Sequence, residues 1–162
     1  ITVHGRTRQQ FYKGEARWEL VSPVVEAIDV PVVVNGDITD LAAAREALTL
    51  SGAAAVMIGR GAQGQPWVVG QVGAELDGNA ALDAPQGDDL VALILEHYDA
   101  MLSDYGTQVG VRVARKHLDW YLEALGIALD KETRKLLLGS EISSEVAGMI
   151  PAIYGGDWRQ AA

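Results

Sequence analysis

Four clusters of residues in this sequence could carry chemistry. His4-Gly5-Arg6-Thr7 sets an imidazole beside a guanidinium. A neutral imidazole can donate to a carbonyl or phosphate oxygen, and arginine grips a phosphate through two parallel N–H groups. Asn35-Gly36-Asp37 and Gly59-Arg60-Gly61-Ala62-Gln63-Gly64 are the next two clusters. Glycines in such loops let the backbone come close to a ligand and offer its N–H groups to an anion. Each run alone is also a common turn former. Two of them at the ends of successive strands point more strongly to a phosphate site. The second run is no dinucleotide fingerprint, because its spacing differs and no acidic residue follows at the required distance. The fourth cluster is Arg112, Arg115, Lys116 and His117, with Trp120 and Tyr121 close behind. Arg112, Arg115 and Lys116 fall at i, i+3 and i+4, one face of a helix. A basic stripe beside aromatics can hold a sugar–phosphate backbone and stack bases. The same pattern also suits a solvated basic face over core aromatics. His4 has no second His or carboxylate at ligand spacing, so no metal site is expected.

The elements that must position these clusters follow from hydrophobic patterning. Ile1–Val3, Val30–Val34 and Ala53–Ile58 are short apolar runs. The last two are nearly continuous and bounded by polar residues or glycine, the pattern of strands buried on both faces in a parallel sheet. Trp18–Ile28 and Asp40–Ser51 have apolar residues at near-helical spacing. Strand, loop and helix recur about every 25–30 residues, the βα unit of a parallel architecture. All three polar clusters of this half then lie at strand ends, where β/α barrels keep their active sites. Gly70–Pro85 reads as a linker. Leu90–Tyr105, Val109–Leu125, Asp130–Leu138 and Ser143–Ile150 read as helices, with Gly106, Gly126 and Gly139 as stops and Asp130 as an N-cap. The expected organisation is residues 1–70 as the C-terminal part of a β/α barrel, 71–85 as a linker and 86–162 as an all-α helical bundle domain.

Composition bounds the function. The chain has 162 residues, 49% of them hydrophobic, enough for a sizeable core. It contains no cysteine, which excludes disulfides, thiolate metal sites and a cysteine nucleophile or acid within these residues. No apolar run reaches the roughly 18 residues that a membrane span needs, and no secretory signal is legible, so a cytoplasmic location is expected. The formal net charge of −9 opposes a simple polyanion-binding module, so any nucleic-acid contact has to be local. The abrupt start on Ile1-Thr2-Val3, without Met, leads us to expect a fragment.

Taken together, the motifs resemble those of bacterial tRNA-dihydrouridine synthases, in particular their nitrogen-regulation-like branch. His4-Gly5-Arg6-Thr7-Arg8-Gln9-Gln10-Phe11-Tyr12-Lys13-Gly14 resembles the family's HGRT segment. Pro31-Val32-Val33-Val34-Asn35-Gly36-Asp37-Ile38 resembles its PVxxNGDI strand end. The run from Val56 to Trp67 resembles its MIGRGAxGxPW loop, and Arg115-Lys116-His117-Leu118-Asp119-Trp120-Tyr121 its RKHxxWY helix. The four occur in the family's order and cover nearly the whole chain. The resemblance implies the last three strands of a TIM (β/α)8 barrel followed by a helical tRNA-binding domain. It implies FMN as cofactor, NADPH as reductant, and reduction of the uridine C5–C6 double bond in tRNA. Asn35, Gly36, Asp37, Gly59 and Arg60 match the family's FMN-phosphate residues, and His4 a histidine near the flavin. Arg112, Arg115, Lys116, His117 and Tyr121 are the expected RNA contacts. The family's cysteine acid and a flavin-contacting lysine match nothing in this chain, so no catalytic residue is assigned in it and the chain alone is expected to be inactive. A missing N-terminal barrel half, or a pairing fragment, is the expected protein partner. Two other functions stay open: an FMN-dependent barrel oxidoreductase acting on a small molecule, and a non-catalytic RNA-binding remnant.

Overall fold

In the computed structural model, residues 1–10 and 13–156 are described. Phe11 and Tyr12 of the first motif, and the last six residues of the expected second domain, lie outside them. The chain divides into two compact units, Ile1–Asp83 and Ala84–Ala162.

The first unit is α/β. Three strands, β1 (Thr2–His4), β2 (Val33–Asn35) and β3 (Ala55–Met57), form a parallel sheet in the order β1-β2-β3. Cα partners run Thr2–Val33–Ala55, Val3–Val34–Val56 and His4–Asn35–Met57. Alternation across the pleat therefore gives the sheet two distinct faces. Val3, Val34 and Val56 point to the helices, where Val34 is fully buried beside Val21, Val32, Ile38, Ala44, Ala47, Val68 and Val72.

The opposite face carries Thr2, Val33 and Ala55 in one row and His4, Asn35 and Met57 in the next. Thr2, His4 and Ala55 on this face are exposed, and Met57 is 45% exposed. This corrects the expectation of burial on both faces for β3, whereas on β2 the same face has Asn35 buried and Val33 half-buried. The strands' apolar composition is two-sided, but among the described residues of this unit helices cover only one side.

Helix α1 (Ser22–Ala27) is entered through a 3₁₀ turn at Trp18–Val21 and has Pro23 in its first turn, where the missing N–H costs nothing. Helix α2 (Leu41–Ser51) starts at Asp40, whose Oδ1 accepts the Ala43 N–H at 2.8 Å, and stops at Gly52 with φ 67°. Helix α3 (Val68–Leu76) runs into the stretch expected to be a linker, because Val68 and Val72 bury one turn apart and fix it to the core.

The second unit is all helical: α4 (Gly87–Tyr105), α5 (Thr107–Leu125), α6 (Lys131–Gly139) and α7 (Ser143–Tyr154). Gly106 and Gly126 end α4 and α5 with positive φ, as their sequence positions predict. Asp130 caps α6 by accepting the N–H groups of Glu132 and Thr133. Gly110 has a different task. A Cβ there would stand 2.6 Å from Met101 O and 2.7 Å from Leu102 Cα, so its absence sets how closely α5 approaches α4. The core takes Leu90, Ile94, Tyr98 and Met101 from α4, Val111, Leu118, Tyr121 and Leu122 from α5, Leu137 from α6, and Val146, Ile150 and Tyr154 from α7. The buried tyrosine hydroxyls are satisfied: Tyr154 donates to Leu118 O at 2.9 Å and Tyr98 to Ser143 O at 3.3 Å. No helix among the described residues is long and apolar enough to cross a membrane.

Candidate functional site

The carboxyl ends of the three strands open into one cleft of about 730 Å³, the size range of small-molecule and cofactor sites. Register alone brings His4, Asn35 and Met57 into one row along its floor. Gly36 and Asp37 follow from β2, and Gly59, Arg60 and Gly61 from β3. All six residues expected at the cofactor site line this cleft: His4, Asn35, Gly36, Asp37, Gly59 and Arg60.

The loops are packed tightly enough to require their glycines. Gly36 sits at φ 126°, and a Cβ there would come within 2.9 Å of the Ala16 Cβ. At Gly61 a Cβ would overlap Ile38 O and lie 2.9 Å from Thr39 Cα, so the loop after β3 can lie against the loop after β2 only without a side chain. Gly5 N–H donates to Asn35 O at 2.8 Å, and Trp18 Nε1 donates to Gly36 O at 2.8 Å, which ties the loop after β1 to the same place.

Asp37 is the hub of the charges. Its backbone is left-handed, φ 53°, which Asp tolerates better than most residues. The Arg6 guanidinium donates both arms to its carboxylate, Nη1 to Oδ1 at 2.7 Å and Nη2 to Oδ2. Ala16 N–H donates to Oδ2 at 2.8 Å, and Arg60 Nη2 lies 3.6 Å from Oδ1. The hydrogen bonds from Arg6 hold the Asp37 carboxyl below its ordinary range, against some opposing desolvation, with help from the Ala16 N–H and the Arg60 charge. Arg6 also donates to Gly14 O at 2.6 Å and is only 11% exposed at its side chain, so it is committed to the fold. Residue types in the sequence point to Arg6 as a phosphate ligand; the structure gives it an internal partner instead. Arg8, which had no assigned role, lines the cleft with no described ion-pair partner. Asn35 is 9% exposed as a residue, and its side-chain amide has no described hydrogen-bond partner. A cation, an amide, an imidazole and a glycine rim could together hold a phosphorylated ligand. The described residues contain no group of carboxylates, imidazoles or thiols able to hold a metal ion.

The fourth cluster, the basic and aromatic stripe of α5, separates. Arg115 donates from Nη2 to Gly139 O at 3.2 Å and Ser140 O at 3.4 Å, closing the C-terminal end of α6. Arg112 pairs with Glu141 at 3.5 Å, and Arg115 lies 3.9 Å from the same carboxylate. Lys116 lies over the Trp120 ring, 5.6 Å from its centroid. His117 meets the rings of Trp120 and His97 edge to face at 4.9 and 5.0 Å. Tyr121 is 2% exposed, its hydroxyl 3.1 Å from His97 Nδ1 and its ring against Tyr154. Burial pushes its phenol up to about 12 and pulls both His97 and His117 down, with His97 and Lys116 adding to the effect at His117. Tyr121 is therefore withdrawn from the expected RNA contacts: a buried ring cannot stack on a base. Helical spacing placed it beside the stripe but could not tell its inward face from its outward one.

The family described as Dihydrouridine synthase (Dus) matches residues 1–146. A probable tRNA-dihydrouridine synthase of Rhodobacter capsulatus is 54% identical over 132 residues, covering 82% of this chain and 41% of that protein. One from Rhizobium leguminosarum bv. phaseoli is 43% identical, covering 100% of this chain and 50% of that protein. The tRNA-dihydrouridine synthase B of Pseudomonas putida is 43% identical over 122 residues, covering 75% and 36%. The chain thus spans half or less of the length of these curated relatives.

Proposed function

The chain belongs to the dihydrouridine synthase family, and from that premise we propose that it is the C-terminal portion of a tRNA-dihydrouridine synthase: the last three strands of a TIM barrel, then a tRNA-facing helical domain. The observation that carries this is the row His4–Asn35–Met57 opening, at the strands' carboxyl ends, into a cleft rimmed by Gly36, Gly59 and Arg60. Supporting the barrel is the partly exposed sheet face, with edge strands β1 and β3 that each have one neighbour among the described residues.

The residues present fit an FMN. Asn35, Arg60 and the backbone of Gly36 and Gly59 would hold its phosphate, Arg8 would add positive charge, and the His4 imidazole would donate to an oxygen of the ring system. When bound and reduced by NADPH, FMN supplies the hydride for the uridine C5–C6 double bond. This chain's residues orient that cofactor and keep its phosphate charge compensated. The proton at C5 comes from an acid that these residues do not provide, since the family's cysteine has no counterpart among them. On the RNA side, Lys116 and Arg112 are the exposed members of the stripe left to meet phosphate, with His117 half-buried behind them. In this proposal the protein works on tRNA in the cytoplasm.

One observation keeps a second function in play. The Arg115 tie to α6 removes part of the feature that separated a tRNA enzyme from a small-molecule barrel oxidoreductase. The test is to join the chain behind the N-terminal half of the Rhizobium relative and assay dihydrouridine in tRNA. Dihydrouridine formation that is lost in Arg60→Ala supports the proposal. A flavin-loaded protein that leaves tRNA unchanged yet oxidises NADPH with a small acceptor favours the second function.

A further inference from the structure

Asp37 lies among residues that would face a phosphate, yet its chemistry is wrong for that contact. An ionised carboxylate has no hydrogen to donate, and it repels an anion. What it does in the structure is different. Its two oxygens collect the Arg6 fork and the Ala16 N–H, both from the chain between β1 and α1, and the Arg60 guanidinium stands 3.6 Å away from the loop after β3. One carboxylate at the end of β2 thus joins the loops of both neighbouring strands. The left-handed backbone at Asp37 and the close packing of Gly36 on Ala16 hold it at that junction. Arg6, bonded also to Gly14 O, is spent on this junction.

We propose that Asp37 is a positioning residue: it latches the loop after β1 through Arg6 and Ala16 and sets the Arg60 guanidinium at the cleft wall, so that Arg60 and the Asn35 amide meet the cofactor phosphate while Asp37 and Arg6 do not. The proposal rests on the FMN site proposed above. It separates two groups that the motif presents as one: Asn35, Gly59 and Arg60 act on the ligand, and Asp37 acts through Arg6 and Arg60.

The experiment compares FMN with riboflavin, which lacks only the phosphate, in the full chain and in its Asp37→Asn variant. Asparagine tolerates a left-handed backbone but keeps only one acceptor oxygen and turns an NH2 toward a donor, so the substitution removes the charge together with the bonds from Arg6 or Ala16 to one of the two oxygens. FMN affinity should fall about tenfold or more, the loss of one well-placed charged hydrogen bond, while riboflavin affinity changes less than about threefold. Arg6→Lys, which keeps the charge and loses the fork, should reproduce that selective loss. Hydrogen exchange at the Ala16 amide should quicken in Asp37→Asn without any flavin present.

FMN binding that is unchanged or tightened in Asp37→Asn overturns the proposal, tightening being the mark of a carboxylate that faced the phosphate. Equal losses for FMN and riboflavin also overturn it, since they mean general damage to the cleft. If the unaltered chain binds riboflavin and FMN equally, the phosphate site itself fails, and this role with it. Ala16 protection that is identical in the variant excludes the latch on its own account, whatever the flavin does.

Discussion

Replacing Arg115 with Met separates an internal tie from an RNA contact. Methionine keeps most of the unbranched stem and its packing and removes the guanidinium. Two hydrogen bonds to the end of α6 are lost, to Gly139 O at 3.2 Å and Ser140 O at 3.4 Å. Charged donors contribute about 1.5–3 kcal/mol at good geometry, and these are long, from a side chain 33% exposed, so about 1 kcal/mol each is a fair ceiling. Against that stands the Arg115 Nε, buried without a partner, whose removal returns up to about 1 kcal/mol. The net loss is about 1 kcal/mol, or roughly 4–8 °C in the unfolding midpoint of a unit this size. Circular dichroism of the chain measures the midpoint, and hydrogen exchange along α6 locates the loss. Arg115→Lys should recover less than half of it, because both bonds leave from the far nitrogen Nη2 and the shorter lysine stem does not carry its ammonium as close to the two carbonyls. An unchanged midpoint, together with weaker tRNA binding that flattens the salt dependence, would refute the internal tie and return Arg115 to the RNA surface.

Gly110→Ala forces a methyl against Met101 O and Leu102 Cα, both backbone atoms that cannot rotate away, so α4 and α5 must part; a loss of about 1–3 kcal/mol in a denaturant titration is expected. The stability of the helical unit should fall as pH drops below about 6.5, the ordinary imidazole range. His97 and His117 have folded pKa values below that, so the unfolded chain takes up protons first, stability is full above 6.5, and it is lost as pH falls through the folded values. His97→Gln and His117→Gln should each flatten that slope in urea midpoints measured between pH 5 and pH 7.5, values that span the imidazole range.

Much of the cleft was legible before the structure because its residues sit at strand ends, and strand ends recur with the βα period. His4, Asn35 and Gly59 needed only that periodicity to be placed together. Helix limits were legible where a local signal existed, such as Asp130 at the start of α6 or Gly126 at the end of α5. What stayed hidden depended on partners far along the chain. Arg6 and Asp37 are 31 residues apart, and Arg115 and Gly139 are 24. In both cases the residue type announced a cation for a phosphate, and a distant acceptor had already claimed it. Tyr121 was misplaced for a related reason, since an amphipathic period of 3.6 leaves boundary positions ambiguous until the neighbouring helix is known. The exposed face of β3 was hidden too, because an apolar strand looks the same whether or not its second face has been covered.

The most direct test of the central claim is a titration of FMN into the chain, followed by flavin fluorescence, beside Asn35→Ala and Arg60→Ala. The account predicts saturable binding that each substitution weakens at least about tenfold, with riboflavin bound less tightly than FMN throughout. Binding that is indifferent to both substitutions would contradict it, because the strand-end cleft would then not be where the phosphate sits.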